Sequence, residues 1–234
     1  MQDQSQIDAR EAIFRSIREH LATSSPLDRR EADLAHSQPT ALAPGRPIET
    51  QAGSLVDVFK SSLEAVDGHC VVVQNEQEVV YALTRIIAQL QQTKLLARRI
   101  AISDSPEVER LVQMTDLEVE ELAIAPSASE VFRFDVGISQ AQVGIAETGT
   151  LLLDSSRERH RLVSLVPPVH IAIMKATQIV GTLGEALTIL RREAKVSPIV
   201  TLVTGPSRTA DIELTLAIGV HGPQELFVII DRSH

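Results

Sequence analysis

His69-Cys-Val-Val-Val73, the segment Glu76 to Gln92, and Ile100-Ala-Ile102 follow closely on one another. The first is a run of β-branched residues of strand length and reads as a short buried strand. In the second, Val79, Val80, Leu83, Ile86, Ile87 and Leu90 recur at helical spacing, so one face is apolar and turns inward. The third is a strand again. Ser105-Pro106 then opens another helix, because serine suits the cap and proline the first helical position. Upstream, Ser54-Leu-Val-Asp-Val-Phe-Lys-Ser-Ser-Leu63 gathers Leu55, Val58, Phe59 and Leu63 on one side of a helix. Helix–strand–helix–strand alternation predicts an α/β protein with a largely parallel sheet.

Working outward, the C-terminal half is richer in strands. Residues 143–146, 150–154, 162–166, 169–174, 199–203 and 226–230 each carry a compact apolar run. Pro167-Pro168 must separate two of these strands, since proline cannot donate to a ladder. Residues 182–192 read as a helix, and 211–218, ambiguous by pattern, read better as helix than as strand. Toward the N-terminus, Ile7, Ile13, Phe14, Ile17 and Leu21 outline an amphipathic helix over residues 6–22. A linker bearing Pro26, Pro39, Pro44 and Pro47 follows. The expected organisation is residues 1–52 as helix plus proline-rich linker, docking on the main body or on a partner, and residues 53–234 as one α/β domain.

At 234 residues the chain can bury a sizeable core without disulfides or metals. Aromatics are 3% and tryptophan is absent, so that core must be aliphatic. A net charge of −9 and so few stacking rings argue against nucleic acid. Arg157, Arg159, His160 and Arg161 form the best local basic patch, or simply a solvated loop. Cys70 is the only cysteine: it excludes an intramolecular disulfide and a four-cysteine cluster held by this chain alone, and it reads as a small core residue. No apolar run reaches the ~18–20 residues of a membrane span, and a cytoplasmic location is expected.

Two glycine-rich segments gather the polar residues. One is Gly144-Ile-Ala-Glu147-Thr148-Gly149-Thr150, running on to Arg161-Leu-Val-Ser-Leu-Val-Pro-Pro-Val-His170. The other is Thr204-Gly205-Pro-Ser207-Arg208-Thr209-Ala-Asp211-Ile-Glu213, closing on Gly219-Val-His221-Gly-Pro223. Turns on a rigid scaffold are where binding and catalysis concentrate. Glu147, at a strand end, suits a general base or nucleophile; the alternative is that it accepts backbone N–H bonds and pins the turn. If a helix starts after Gly205, its free N–H groups, a Ser207 or Thr209 cap and the Arg208 fork favour an anion. Arg208 pairing with Asp211 or Glu213 is the other reading. His170 either lines a pocket or is a satisfied buried histidine, and His221 is a pH-sensitive contact or a turn lock. The spacing of His170, His221, Asp211 and Glu213 matches no zinc pattern, and no metal is expected. The site as a whole requires the turns after residues 146 and 203 to meet across a common sheet edge and form one polar cleft.

Together these segments resemble the signatures of the lactate-utilisation protein C family, the LUD domain type, over roughly residues 135–231. The resemblance implies a three-layer α/β/α fold around a mixed, largely parallel sheet, similar to CoA transferases and ribose phosphate isomerase. It also implies a role in oxidising L-lactate to pyruvate beside two iron–sulfur oxidoreductase partners, with no cofactor in this chain. The ligand would then be a small carboxylate or phosphate. Thr148, Gly149, Thr150, His170, Gly205, Ser207, Arg208, Thr209, Asp211, Glu213 and His221 are its candidate contacts, with Glu147 the candidate catalytic residue. CoA transferases of similar fold use a glutamate covalently, which keeps open a stand-alone acyl- or CoA-transfer enzyme built on Glu147. A ligand-sensing or assembly module is the third possibility.

Overall fold

The structure, a computed structural model, describes residues 14–16, 19, 54–155, 161–192, 199–210, 216–218 and 222–233. The chain divides into two units, Met1–Pro44 and Gly45–His234. In the first, residues 14–16 and 19 are helical, within the amphipathic stretch expected over 6–22. The rest of that helix, the proline-rich linker, Arg157, Arg159, His160, Asp211, Glu213 and His221 lie outside the described residues.

The second unit begins with helix α1 (Ser54–Glu64), strand β1 (His69–Val73), α2 (Glu76–Gln91), β2 (Arg99–Ile102) and α3 (Pro106–Gln113). Next come β3 (Glu121–Ile124), β4 (Val136–Gln140), β5 (Val143–Ile145), β6 (Thr150–Asp154) and the single turn of helix α4 (Leu162–Leu165). The chain continues with β7 (Val169–Lys175), β8 (Ile179–Val180), α5 (Leu183–Arg192) and β9 (Val200–Thr204). A short ribbon, β10 (Arg208–Ala210) with β11 (Leu216–Ile218), precedes β12 (Glu225–Asp231). The helix starts are written locally. Asn75 caps α2 by accepting from Glu78 N, and Ser105 caps α3 with Pro106 in its first turn.

Six strands form one sheet in the order β1-β12-β7-β4-β2-β3, and every neighbouring pair is parallel. A parallel sheet is covered on both faces, so its central strands must be apolar at odd and even positions alike. β7 and β12 show this directly. Ile171, Ile173 and Ile229 pack with Leu83, Ile87, Leu111 and Val112 of α2 and α3. Their alternates Ala172, Met174, Val228 and Ile230 pack with Phe59 and Leu63 of α1 and with Leu151 and Leu153 of β6. Phe59 and Leu63 are wholly buried, each a side chain worth about 1.5–3 kcal/mol of burial.

The mixed pairing belongs to a second sheet, in the order β8-β5-β6-β9. There β5–β6 and β6–β9 are antiparallel and β5–β8 is parallel. On its far face Val143, Ile145 and Leu152 pack against Ala186 of α5. The protein is therefore α/β, with a parallel six-stranded sheet flanked by helices.

Several local expectations are corrected. Residues 162–165 are helix, not strand: both sides of β7 are already taken by β12 and β4, and α4 instead lies across Gly137, where a side-chain Cβ would collide with the Val163 carbonyl. Residues 216–218, read as helix, are a strand held by antiparallel pairing with β10. β1 is an edge strand, half-buried rather than enclosed.

Candidate functional site

The two polar turns sit at neighbouring strand ends, at the start of β6 and the end of β9. Thr150 and Thr204 are register partners on β6 and β9, and their hydroxyls lie 2.7 Å apart. Thr148 adds its own hydroxyl to Thr150 at 2.6 Å, making a chain of three. Each turn contains one glycine in left-handed backbone, Gly149 at φ 64° and Gly205 at φ 73°. Both press on the end of α1: a Cβ on Gly149 would overlap the Leu63 backbone, and one on Gly205 would overlap the Val66 carbonyl. Glycine is required twice over, for its φ and for the close approach.

The charged residues of these turns are spent on the protein. Glu147 Oε1 accepts the Leu183 N–H at 2.9 Å, and the Glu147 N–H donates to the Gly181 carbonyl at 3.1 Å. The carboxylate thus caps the N-terminus of α5, which is the turn-pinning alternative. Arg208 pairs with Asp67, and both partners are exposed at the surface; its other candidate partners, Asp211 and Glu213, lie outside the described residues. No helix follows Gly205. The chain enters β10 instead, so among the described residues no helix N-terminus is available to an anion there. The Ser207 N–H goes to the Pro223 carbonyl at 2.8 Å, tying the turn to the segment before β12.

His170 is fully buried on β7, and its Nε2 lies 2.7 Å from Ser139 Oγ. Among the described residues its Nδ1 has no hydrogen-bond partner. Burial without a counter-charge lowers its pKa from the ordinary 6.5 to about 4, so the ring is neutral at pH 7. It is therefore a buried histidine. Burial also pushes the Cys70 thiol up to about 12. Among the described residues no group of three or more His, Cys, Asp or Glu is placed to hold a metal ion.

These motifs share one end of the molecule. Gly149 and Gly205 contact the chain just before β1, and Pro168, just before β7, accepts from Gln224 and Glu225 at the start of β12. They lie at the amino ends of the parallel strands. The carboxyl ends carry a different group, absent from the motif reading: Glu76, Glu107, Arg110, Gln140, Lys175, Asp231 and Ser233 line a small cavity of ≈ 50 Å³. Open α/β sheets bind ligands outside the carboxyl ends of their strands. A larger groove of ≈ 560 Å³ runs between β1 and α2, past His69, Cys70, Tyr81, Arg85 and Phe227.

The LUD domain matches residues 56–230. An uncharacterized protein of Neisseria meningitidis is 46% identical over 96 residues, 41% of each chain. A lactate utilization protein C of Anoxybacillus flavithermus is 36% identical over 102 residues, 43% of this chain and 46% of that one. The chain thus matches less than half the length of these two relatives. The crystal structure of a DUF162 family protein from Deinococcus radiodurans superposes with a TM-score of 0.56. At 23% identity over 78% of this chain and 99% of that one, it shows a shared fold. No helix among the described residues is long and apolar enough to cross a membrane. With the domain match extending over most of its length, the chain belongs to the LUD domain family.

Proposed function

We propose that this chain serves lactate utilisation in the cytoplasm, as a subunit that binds a small anionic ligand. Iron–sulfur oxidoreductase partners would carry the electrons of L-lactate oxidation to pyruvate. The observation that carries this reading is the 36% identity to a protein named lactate utilization protein C. A single cysteine, half-buried with a thiol pKa of about 12, supports placing the clusters on partner chains.

The competing acyl- or CoA-transfer reading needs a glutamate free to attack. Glu147 holds the first N–H of α5 instead, which favours the subunit reading. The experiment is genetic and biochemical. Deleting the gene should abolish growth on L-lactate and leave growth on pyruvate intact, and anaerobic purification of the tagged chain should bring brown iron–sulfur proteins with it. Normal growth on L-lactate, with no such companions, would overturn the proposal.

A further inference from the structure

We infer that the crevice at the carboxyl ends of β4, β7 and β12 binds a small monocarboxylate, with Lys175 as its charge partner. The inference names the site for the anionic ligand proposed above and rests on that reading for its choice of probes.

Lys175 and Asp231 are register partners at the ends of β7 and β12. Lys175 lies two residues beyond Ile173, and Asp231 two beyond Ile229, so both point to the side of the sheet covered by α2 and α3. The crevice forms there, between the starts of those helices, while the chain leaves β4 and β7 for the second sheet on the opposite side. This is the arrangement in which α/β sheets leave a gap for ligands.

The chemistry follows from which groups are already committed. Asp231 Oδ1 accepts from Ser233 N at 2.7 Å, and its Oδ2 accepts from Ser233 Oγ at 2.6 Å. Glu107 accepts from Gln140 Nε2 at 2.5 Å, and Gln140 Oε1 in turn accepts from Ser105 Oγ at 2.9 Å. Glu76 is taken by Arg110. Lys175 remains. Its backbone N–H donates to Gln178, and its ammonium acts on the Glu76 carboxylate only through space, that carboxylate being hydrogen-bonded to Arg110. Lys175 is thus the lining cation whose hydrogen-bond donors are left for an incoming oxyanion.

Size and net charge narrow the ligand. A cavity of ≈ 50 Å³ admits a carboxylate and a carbon or two. The lining carries Glu76, Glu107 and Asp231 against Arg110 and Lys175, so the acids outnumber the bases by one. Such a wall repels a dianion about twice as strongly as a monoanion, so the ligand favoured is a monoanion that reaches Lys175.

Calorimetry on the full chain tests this with L-lactate, pyruvate and inorganic phosphate as probes. L-Lactate or pyruvate should bind and phosphate should not. Lys175→Gln should weaken binding at least tenfold without lowering the melting temperature, and Lys175→Arg should restore part of it. Four outcomes overturn the inference: no binding of either monocarboxylate, unchanged affinity in Lys175→Gln, phosphate binding more tightly than either, or a loss confined to Arg208→Gln. Absent binding together with lost growth of the deletion strain on L-lactate sinks the crevice alone. Binding as described together with normal growth sinks the subunit reading alone.

Discussion

Ser139 and His170 sit on the neighbouring strands β4 and β7, joined by a 2.7 Å hydrogen bond that solvent does not reach. The register pairs Gly137 with His170 and Ser139 with Ala172, so all four side-chain positions share one face of the sheet, the face crossed by α4 at Gly137. A neutral imidazole can satisfy Ser139 in this setting, whereas an imidazolium would sit in the core with no counter-charge.

The pH dependence of stability follows. The folded pKa of His170 is about 4 and the ordinary value is 6.5. Between those values the unfolded chain takes up a proton that the folded chain refuses, so stability falls as pH falls through this window. From about pH 7 to about pH 5 the loss attributable to His170 should be about 2 kcal/mol. Urea unfolding at the two pH values measures it. His170→Gln should show a correspondingly shallower dependence, and an identical slope in the variant would assign the effect elsewhere.

Gly149 and Gly184 should respond oppositely to alanine. Gly149→Ala forces a left-handed φ on a residue with a Cβ and drives that Cβ into the α1 backbone, a loss of about 2–4 kcal/mol. Gly184 lies in α5, with its nearest neighbour, Thr182 Oγ1, 3.8 Å from the added carbon. Gly184→Ala should therefore stabilise by about 0.5–1 kcal/mol. Thermal melts of both variants make the comparison.

Removing the Glu147 carboxylate should loosen α5. Glu147→Ala leaves the Leu183 N–H without its acceptor and should cost about 1 kcal/mol. Hydrogen exchange should report it as faster exchange confined to the first turn of α5. Unchanged protection there would mean the capping bond contributes nothing.

Cys70 should be slow to alkylate. Iodoacetamide at mildly alkaline pH should modify it far more slowly in the folded chain than in urea, because the thiolate is scarce when burial holds the thiol pKa near 12. Equal rates in both states would show the thiol open to solvent.

Much of this architecture was legible in residues 54–113, where helical period, strand length and caps all agree. Ser105-Pro106 starts α3 as its chemistry predicts, and the apolar stripe from Val79 to Leu90 faces the sheet. What sequence could not supply was context. Leu162-Val-Ser-Leu165 is too short to display a period, and its helical state comes from packing over Gly137. Residues 216–218 become a strand because residues 208–210 lie alongside. Val136-Gly-Ile-Ser-Gln140 is a central strand whose glycine and polar residues hide it from an apolar scan. At the turns, the glycines and their meeting point were readable from composition and strand order. The partners Asp67 and the Leu183 N–H were not, because nothing in either motif refers to them. Lys175 went unnoticed for a related reason: its meaning lies in ending a central parallel strand, which only the topology reveals.

The pairing of β1 with β12 has a consequence for biosynthesis. β1 is an edge strand and its one neighbour is β12, with His69 set beside Phe227. On the ribosome, β2, β3, β4 and β7 can assemble as they emerge, but β1 must wait for residues 225–231. A nascent chain stalled short of Glu225 would hold a detached valine-rich segment in the open, where it invites chaperones or a wrong neighbour.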